Sequence, residues 1–444
     1  MPPASVLCFF DGEIDPVDIA SECALSYRDG QLNMEEVALA DVAATVGTPV
    51  YCYSSAIIER NFRRLEQAFK AISPRLCYAV KANSNLAVLR LLARLGAGAD
   101  VVSEGELRKA LCAGMRPDRI VFAGVGKTTR EITFALESRI SQFNVESEAE
   151  LAAIAEIATS LGRRAPVALR VNPNIEAQTN AKITTGTQID KFGIPLSRVS
   201  QLYKQVCGHS SLEPKGLSVH IGSQLTDLGP FRGAYAQIVA LVHELRPKGM
   251  AVPMLDLGGG LGVVYRDETP PAFEDYAAML EAVTDGVDCE LTLEPGRCLV
   301  GNAGVLLSKV ILNKSQESRS FVVLDAAIND LLRPGLYEAH HSIITVAEID
   351  PGLPHRRVDF VGPVCETTDT FCRDEYAPPL NAEDLVAILT AGAYGAVMAS
   401  TYNTRPLVPE VMVRDGEFDL IRPRETYEDM LNRDRVPSWL ASGD

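Results

Sequence analysis

The feature that most constrains this fold is a regular alternation of strand-like and helix-like segments between residues 75 and 297. Each strand-like segment is short and apolar, and most intervals carry the periodicity of an amphipathic helix, as in Leu86–Leu95 and Glu104–Ala113. Eight such units in roughly 220 residues predict a (β/α)8 barrel rather than an open doubly wound sheet. The predicted strands cover residues 75–83, 98–103, 119–124, 141–147, 167–173, 216–223, 253–260 and 289–297.

The pattern changes after about residue 300, where short alternating apolar segments are separated by Pro, Gly and Asp turns. This pattern is typical of antiparallel strands and predicts a second, all-β domain. A length of 444 residues also favours two domains over one core. We therefore expect residues 1–50 to contribute in part to the β domain, 51–300 to form the barrel and 301–444 to form the β domain. The long polar interval 174–196 interrupts the barrel pattern and is expected to be a functional loop.

Charge and cysteine usage exclude several classes of function. The chain carries a formal net charge of −16, which argues against a nucleic-acid or anionic membrane surface. Its ten cysteines are scattered with no CxxC pair, so we expect neither a metal site nor a redox motif. No apolar run approaches the length of a membrane span. These features predict a reducing, cytoplasmic location.

A lysine near the end of a predicted buried strand is the first candidate functional residue. In RLCYAVKANSN, Lys81 follows an apolar run and precedes the turn residues Asn83 and Asn85. An ammonium at the end of a buried strand must be paired, shifted in pKa or covalently engaged. Considered alone, the lysine fits a solvated strand terminus better, so the case depends on the other strand ends.

Polar groups and glycines follow the other predicted strands. The second strand carries Asp100, the sixth ends in HIGSQ with His220, and the seventh is followed by the glycine run of DLGGGLG. The eighth ends in LEPGR, with Glu294 and Arg297. Active sites of barrels lie at the carboxyl ends of strands, with phosphate bound after strands seven and eight. The glycine N–H groups after strand seven, together with Gly296 and Arg297 after strand eight, therefore predict a phosphate site.

Pyridoxal 5′-phosphate requires this combination of groups. A lysine binds it covalently, a carboxylate keeps its pyridine nitrogen protonated, an imidazole can stack on its ring, and backbone donors hold its phosphate.

The motifs CYAVKAN, GADVVSEGE, HIGSQ, DLGGGLG, EPGR, GPVCE and GAYG resemble those of the fold-type III pyridoxal-phosphate-dependent decarboxylases in order and approximate spacing. From about residue 30 to its end, the chain is similar to the bacterial diaminopimelate decarboxylase family. The resemblance implies an alanine-racemase-like barrel with a β domain, pyridoxal phosphate as cofactor, an amino-acid substrate and a homodimer with shared active sites.

The resemblance also implies roles for matching residues. Lys81 would bind the cofactor, His220 would stack on its ring, and Glu294 would face the pyridine nitrogen. Asp100 would help to hold this network. Cys365 would return a proton to the substrate, and Cys365 and Glu366 would enter from the partner subunit. The implied phosphate residues are Ser223, Gly259, Gly260, Gly296, Arg297 and Tyr394. The implied substrate residues are Arg297, Arg333, Tyr337, Glu366 and Tyr394.

Each role has a structural alternative. His220 and Tyr394 could be core residues, Cys365 could fill space, and Arg333 could form a surface ion pair. Asp100 and Glu106 could both be structural caps at the barrel rim. The chain also departs from the family pattern twice: Thr368 replaces a common glycine in CETTD, and Ile328 replaces a common methionine. The first departure could alter the loop that presents Cys365 and Glu366.

The substrate is inferred from its distal end. Ornithine ends in an ammonium, which requires acidic partners, whereas diaminopimelate ends in an amino-acid group with both charges. Arg333 with Glu366 suits that zwitterion, so we expect decarboxylation of meso-2,6-diaminopimelate to L-lysine. The alternatives are decarboxylation of ornithine, lysine or arginine, a racemase, or a non-catalytic regulator of the same fold.

Overall fold

The computed structural model describes residues 23–176, 191–350 and 352–441. The chain divides into two compact units, of which one is Ile57–Gly301 and the other combines the residues up to Ala56 with those from Asn302 onwards. Here they are called the barrel unit and the β unit. In the part of the chain that the structure describes, no helix is long and apolar enough to cross a membrane.

The β unit begins with a small antiparallel sheet, in the order β1-β2-β3, followed by a short helix. A fourth strand, β4, then leads into helix α2, which continues into the barrel unit. The bounds are β1 Leu25–Arg28, β2 Gln31–Met34, β3 Val37–Ala38, α1 Leu39–Val46, β4 Val50–Ser54 and α2 Ser55–Ala68.

The barrel unit is a closed parallel barrel of eight strands. Neighbours along the chain pair in parallel, and the last strand pairs with the first through Thr292 with Arg75 and Leu293 with Leu76. The eight strands are β5 Arg75–Ala79, β6 Gly98–Val101, β7 Ile120–Phe122, β8 Gln142–Val145, β9 Ala165–Asn172, β11 Leu212–Ser218, β12 Met254–Asp256 and β13 Glu290–Leu293; a short β10, Ile194–Pro195, pairs with the end of β9. The predicted barrel is therefore confirmed.

Helices follow the strands as the sequence pattern predicted, and side-chain caps begin several of them. Asn85, Ser103 and Ser147 each accept a hydrogen bond from a backbone N–H in the first turn, and Thr128 forms a capping box with Glu131. The helices are α3 Leu86–Arg94, α4 Glu104–Cys112, α5 Thr129–Ser138, α6 Glu148–Ser160, α7 Leu196–Gly208, α8 Gly229–Leu245, α9 Phe273–Thr284 and α10 Arg297–Val300.

Several strands end earlier than the sequence pattern predicted. The first predicted strand, 75–83, stops at Ala79, and a single 3-10 turn, Val80–Ala82, carries Lys81. Apolar residues continue past the last paired residue, so apolar pattern alone overestimates strand length. Of the predicted loop 174–196, residues 177–190, which include Thr184-Thr185-Gly186, lie outside the described residues.

The remainder of the β unit is a nine-stranded sheet around an apolar core that includes Tyr53, Leu324, Phe360 and Ile388. Its main path is β18-β17-β15-β14-β4-β20-β21, and β19 pairs with β14 and β16. Most pairs are antiparallel, as predicted, but β15 with β17 and β4 with β20 are parallel. The bounds are β14 Gly304–Ser315, β15 Ser320–Leu324, α11 Arg333–Tyr337, β16 Ile343–Thr345, β17 Arg356–Val361, β18 Thr370–Ala377, β19 Leu385–Ile388, β20 Glu410–Arg414, β21 Glu417–Arg422, α12 Tyr427–Leu431 and α13 Ser438–Ala441.

Candidate active site

Lys81 lies two residues beyond β5, at the carboxyl end of the barrel. Its Nζ donates a hydrogen bond to Oδ2 of Asp100 at 2.7 Å. The Lys81 side chain is 34% exposed and that of Asp100 is fully buried. The buried Asp100 carboxylate therefore positions the Lys81 amine at the opening of the barrel. Asp100 is thus a partner of Lys81 rather than a cap.

Two further carboxyl groups lie inside this end of the barrel. Asp256 ends β12 and Glu294 follows β13 directly. The amide of Asn144 donates to Asp256 Oδ2 at 2.8 Å and to Glu294 Oε1 at 3.3 Å, and Gln142 donates to Asp256 Oδ2 at 3.3 Å. The two carboxyl groups are therefore joined through one amide in the barrel interior.

Burial dominates the electrostatics of this pair. Burial raises the pKa of Asp256 to about 6, against the favourable hydrogen bonds from Asn144 and the Gly258 N–H. Burial also raises the pKa of Glu294 well above its usual range, and the negative charges of Asp100 and Asp256 raise it further. Lys81 acts in the opposite direction on Glu294. Burial and the neighbouring carboxyl groups therefore favour the protonated form of Glu294, and Lys81 opposes this only in part.

His220 lies two residues beyond β11 at the same end of the barrel. The backbone N–H of Gly259 donates to its Nδ1 at 3.2 Å, so the neutral ring carries its proton on Nε2. Burial lowers the pKa of His220 well below its usual value, and the charges of Arg170 and Lys81 lower it further. The imidazole is therefore neutral around neutral pH.

The predicted phosphate residues of the barrel unit lie in the loops after the last three barrel strands. Arg297 is buried; its guanidinium donates to Ser223 Oγ at 3.1 Å and to the Tyr265 hydroxyl at 2.5 Å. A side chain on Gly259 would meet the Glu294 carbonyl oxygen at 2.1 Å, and one on Gly260 would meet the Gly222 carbonyl oxygen at 2.5 Å. These positions admit only glycine, which brings their backbone close to the strand ends.

A buried ion pair beside His220 was not anticipated from the sequence. Arg170 of β9 donates to Glu146 Oε1 at 2.9 Å, and both side chains are buried. Glu146 also accepts the N–H groups of Gly124 and Gly193, each at 3.1 Å. Arg170 and Glu146 lie at the carboxyl ends of β9 and β8, where the barrel rule could have indicated them. The interior residues Gln142, Asn144 and Asp256 were missed for another reason, because they lie within segments that read only as strands.

Arg333 belongs to the β unit and is buried there. Its Nη1 is 2.7 Å from Nε2 of His341, whose Nδ1 is 2.8 Å from the carbonyl oxygen of Leu389. A guanidinium only donates and a carbonyl only accepts, so His341 is neutral with its proton on Nδ1. This chain of hydrogen bonds orients Arg333. It is therefore not the surface ion pair that the sequence left open.

Cys365 and Glu366 are exposed residues of the loop between β17 and β18. The backbone N–H of Cys365 donates to Asn403 Oδ1 at 3.1 Å. The carboxylate of Asp369 holds the loop by accepting the N–H groups of Val364 and Ile328, both at 2.7 Å. The exposure of Cys365 argues against the interpretation that it fills space in a core.

The two remaining candidates are also in the β unit. Tyr337 ends the short helix α11 and is half-buried. Tyr394 is half-buried and has a φ of 55°, a left-handed conformation that is uncommon for a residue other than glycine. The structure thus brings together the nine candidates of the barrel unit at its carboxyl end: Lys81, Asp100, His220, Ser223, Gly259, Gly260, Glu294, Gly296 and Arg297. The other five, Arg333, Tyr337, Cys365, Glu366 and Tyr394, belong to the β unit.

Comparison with known proteins gives consistent matches. Residues 55–301 match the family model of the pyridoxal-binding domain of pyridoxal-dependent decarboxylases. The diaminopimelate decarboxylase of Zymomonas mobilis is 47% identical over 420 residues, covering 94% of this chain and 99% of that protein. The crystal structure of diaminopimelate decarboxylase from M. jannaschii in complex with L-lysine has a TM-score of 0.89 at 38% identity, covering 94% and 98% of the two chains. The corresponding structure from Helicobacter pylori, also with L-lysine, has a TM-score of 0.86 at 41% identity, covering 89% and 98%.

Proposed function

Because this chain belongs to the diaminopimelate decarboxylase family of pyridoxal-dependent decarboxylases, we propose that it converts meso-2,6-diaminopimelate to L-lysine and CO2 with pyridoxal 5′-phosphate. The observation that carries this proposal is the ion pair of Lys81 with Asp100, at the same end of the barrel as the two buried carboxyl groups of Asp256 and Glu294 that Asn144 joins. The enzyme class, fold and cofactor expected from the sequence are confirmed by the family match and by relatives along almost the whole chain.

The residues present fit this cofactor. Asp100 Oδ1 is buried and has no hydrogen-bond partner among the described residues, and burial with the charges of Asp100 and Asp256 favours the protonated form of Glu294 unless a cation lies beside it. A protonated pyridine nitrogen would supply that cation. Gly259 and Gly260 leave no room for side chains, and Arg297 adds a cation beside Ser223, which suits a phosphate.

Pyridoxal phosphate, when bound, supplies an electron sink for the pair of electrons left when CO2 departs. Lys81 would hold the cofactor through Nζ, and Asp100 orients that Nζ. Glu294 would hold a proton on the pyridine nitrogen. Asp256 supports Glu294 through the shared amide of Asn144.

His220 would cover the cofactor ring as a neutral imidazole. A neutral imidazole adds no positive charge that would compete with the pyridine nitrogen for Glu294. The Gly259 N–H fixes the orientation of the imidazole through Nδ1. Ser223, Gly259, Gly260, Gly296, Arg297 and Tyr394 would hold the phosphate.

Residues of the β unit select the substrate and complete the reaction. Arg333 takes the distal carboxylate and Glu366 the distal ammonium, with Tyr337, Tyr394 and Arg297 also contacting the substrate. Cys365 donates the proton that replaces CO2. We infer a homodimer in which the partner subunit's Cys365 and Glu366 serve each cofactor, because the barrel candidates include no obvious donor for that carbon.

A cytoplasmic location is part of the same proposal. The nine cysteines among the described residues are all free thiols, which supports a reducing compartment.

Product analysis tests the proposal. The purified enzyme with pyridoxal phosphate is given meso-diaminopimelate, ornithine, lysine and arginine in parallel, and products are identified by mass spectrometry. We expect L-lysine from diaminopimelate and little diamine or agmatine from the other three, because their distal ends carry no carboxylate for Arg333. Equal or faster turnover of ornithine, lysine or arginine would reject diaminopimelate as the substrate. Absence of turnover with all four would favour a non-catalytic regulator.

A further inference from the structure

A strongly basic cavity lies at the end of the barrel opposite Lys81. Its volume is about 640 Å³. Its wall includes Arg75, Ser141, Pro166 and Glu213, which lie at or next to the first residues of β5, β8, β9 and β11. The cavity is formed entirely by residues of the barrel unit. None of the residues that line it belongs to the active site proposed above.

The charge of this cavity opposes the charge of the whole chain. Seven arginine and lysine side chains line it, against two carboxylates, whereas the chain as a whole carries −16. Three of the seven have carboxylate partners: Arg75 with Glu290, Arg116 with Asp118, and Lys215 with Glu213. The other four are Arg119, Arg139, Arg163 and Arg164, and no carboxylate among the described residues forms an ion pair with them. Concentrating four such charges costs free energy through mutual repulsion.

Three of these four guanidinium groups are held in place by backbone carbonyl groups. Arg119 donates to Gly96 O at 2.8 Å. Arg163 donates to Leu136 O at 2.6 Å, and Arg164 donates to Leu212 O at 2.9 Å. A carbonyl oxygen positions a guanidinium without neutralising it, and each guanidinium has five N–H donors. Donors therefore remain for a ligand on side chains that are already oriented.

A purely structural explanation is that these arginines stabilise the negative ends of the barrel helices. That explanation predicts cations at every helix end on this face, because all the barrel helices point the same way. The part of this face next to the cavity differs, since the end of α9 and the segment before β13 carry exposed Glu281, Asp285 and Asp288. The helix dipole alone does not account for this asymmetry.

We propose that this basic cavity binds a small anion with two or more phosphoryl groups. Arginine forks match phosphoryl oxygens, and several adjacent charges favour a multiply charged ligand over a single carboxylate. The volume suits a small molecule. Leu136, Ile140 and Pro166 form an apolar part of the wall that can contact an organic portion of the ligand. The net charge of the chain disfavours an extended nucleic acid at the same surface.

Calorimetric titration with inorganic tripolyphosphate tests this site. The enzyme is used with pyridoxal phosphate bound, so that its own phosphate site is filled. We expect saturable binding with one site per chain. The double variant Arg139→Gln/Arg164→Gln should raise the Kd about tenfold, as for lost charged hydrogen bonds at a partly exposed site. Arg139→Gln alone is a second variant, because Arg139 is exposed and its loss leaves no buried group unpaired.

A matched control separates the site from general charge. Arg28→Gln/Arg435→Gln removes two exposed arginines of the β unit and should leave the Kd unchanged. Both double variants should retain decarboxylation, since none of the four residues belongs to the active site. Adenosine triphosphate in place of tripolyphosphate should bind at least as tightly, through the same arginines. No binding at about 1 mM tripolyphosphate, or an equal loss of affinity in the control, would overturn the proposal. Tight binding of an RNA oligonucleotide without binding of tripolyphosphate would also overturn it.

Discussion

The carboxyl end of the barrel and the loop that carries Cys365 hold their polar groups in different ways. In the barrel, Asp100, Asp256 and Glu294 are buried, and each is linked by hydrogen bonds to another side chain or to the backbone. In the loop, Cys365 and Glu366 are exposed. Asn403 accepts the Cys365 N–H, Asp369 accepts the N–H of the preceding Val364, and the Glu366 carboxylate accepts the N–H of the adjacent Thr367.

This difference matches two tasks. Burial raises the pKa values of Asp256 and Glu294 and favours their protonated forms before any ligand binds, which suits a cofactor that stays in place. Exposed side chains on an anchored loop can meet a substrate that arrives and leaves. Variants of each region can show whether cofactor chemistry depends on the barrel unit and substrate handling on the β unit.

Loss of Lys81 should have the largest effect. Lys81→Ala removes the amine that contacts Asp100, so activity should fall about 10⁴-fold or more. Borohydride reduction followed by peptide mapping should fix the cofactor to the peptide containing Lys81 in the wild type and leave the variant unlabelled. Lys204→Ala, at an exposed position of α7, is the control and should label normally. Labelling of another lysine in the wild-type enzyme would disprove the assignment.

Loss of Arg333 should damage substrate selection without releasing the cofactor. Arg333→Ala should lower kcat/KM for diaminopimelate by about 2–5 kcal/mol, the cost of losing one partner of a buried charge pair. Cofactor absorbance should stay normal. His341→Gln is the companion variant, because a glutamine oxygen can still accept from Arg333, and its effect should be smaller. An unchanged kcat/KM in Arg333→Ala would remove Arg333 from the substrate site.

Glu294→Gln should separate stability from catalysis. Burial raises the folded-state pKa of Glu294 above its ordinary 4.5 and that of Asp256 from 3.8 to about 6. The folded protein therefore binds more protons than the unfolded chain between these values, so the free energy of unfolding falls as pH rises through about 4 to 6 and beyond. Glutamine resembles protonated Glu294, since it can accept from Asn144 and donate to Asp256.

The cofactor-free Glu294→Gln variant should thus be more stable than wild type at neutral pH by about 1–3 kcal/mol, with a flatter pH dependence. Its decarboxylase activity should nevertheless be strongly reduced. Chemical denaturation of both proteins without cofactor, followed from pH 4 to pH 8, measures the difference. A variant that is less stable than wild type across this range would show that Glu294 is not held protonated by burial.

Asp369→Asn should have the smallest of these effects and act only on the β unit. The two Asp369 oxygens accept two backbone N–H groups, and an amide would present a donor to one of them. We expect a loss of about 1–2 kcal/mol in stability and a several-fold fall in kcat. Cofactor affinity, measured by absorbance titration, should not change; weakened cofactor binding would contradict the separation.

The sequence predicted the barrel well because its period repeats eight times, so errors in single boundaries did not alter the pattern. The β unit was harder to predict. Residues 51–54 fall in the range 51–300 that the sequence assigned to the barrel, yet Val50–Ser54 pairs with β14 on one side and β20 on the other. β4 is separated from these two partners by about 250 and 360 residues, and such distant pairing cannot be inferred from the local sequence.

The candidate site was predictable where a residue stands at the end of a strand. Lys81, His220 and Glu294 each interrupt an apolar run, and such positions indicate active-site residues because active sites of barrels lie at the carboxyl ends of strands. Asp256 and Asn144 were overlooked because they lie inside the predicted strand ranges 253–260 and 141–147, where a small polar residue looks like an ordinary part of the pattern. Their role follows from their distances to Glu294 and from burial, which one sequence does not reveal.

Subunit complementation tests most directly the claim that the barrel holds the cofactor while the partner subunit's loop supplies the proton. Lys81→Ala and Cys365→Ala homodimers should each be nearly inactive. After dissociation and remixing, half of the dimers should be hybrids with one intact site of two, so activity should recover to about a quarter of wild type. If labelled subunits exchange and no activity returns, both residues act within one chain and the shared site is contradicted.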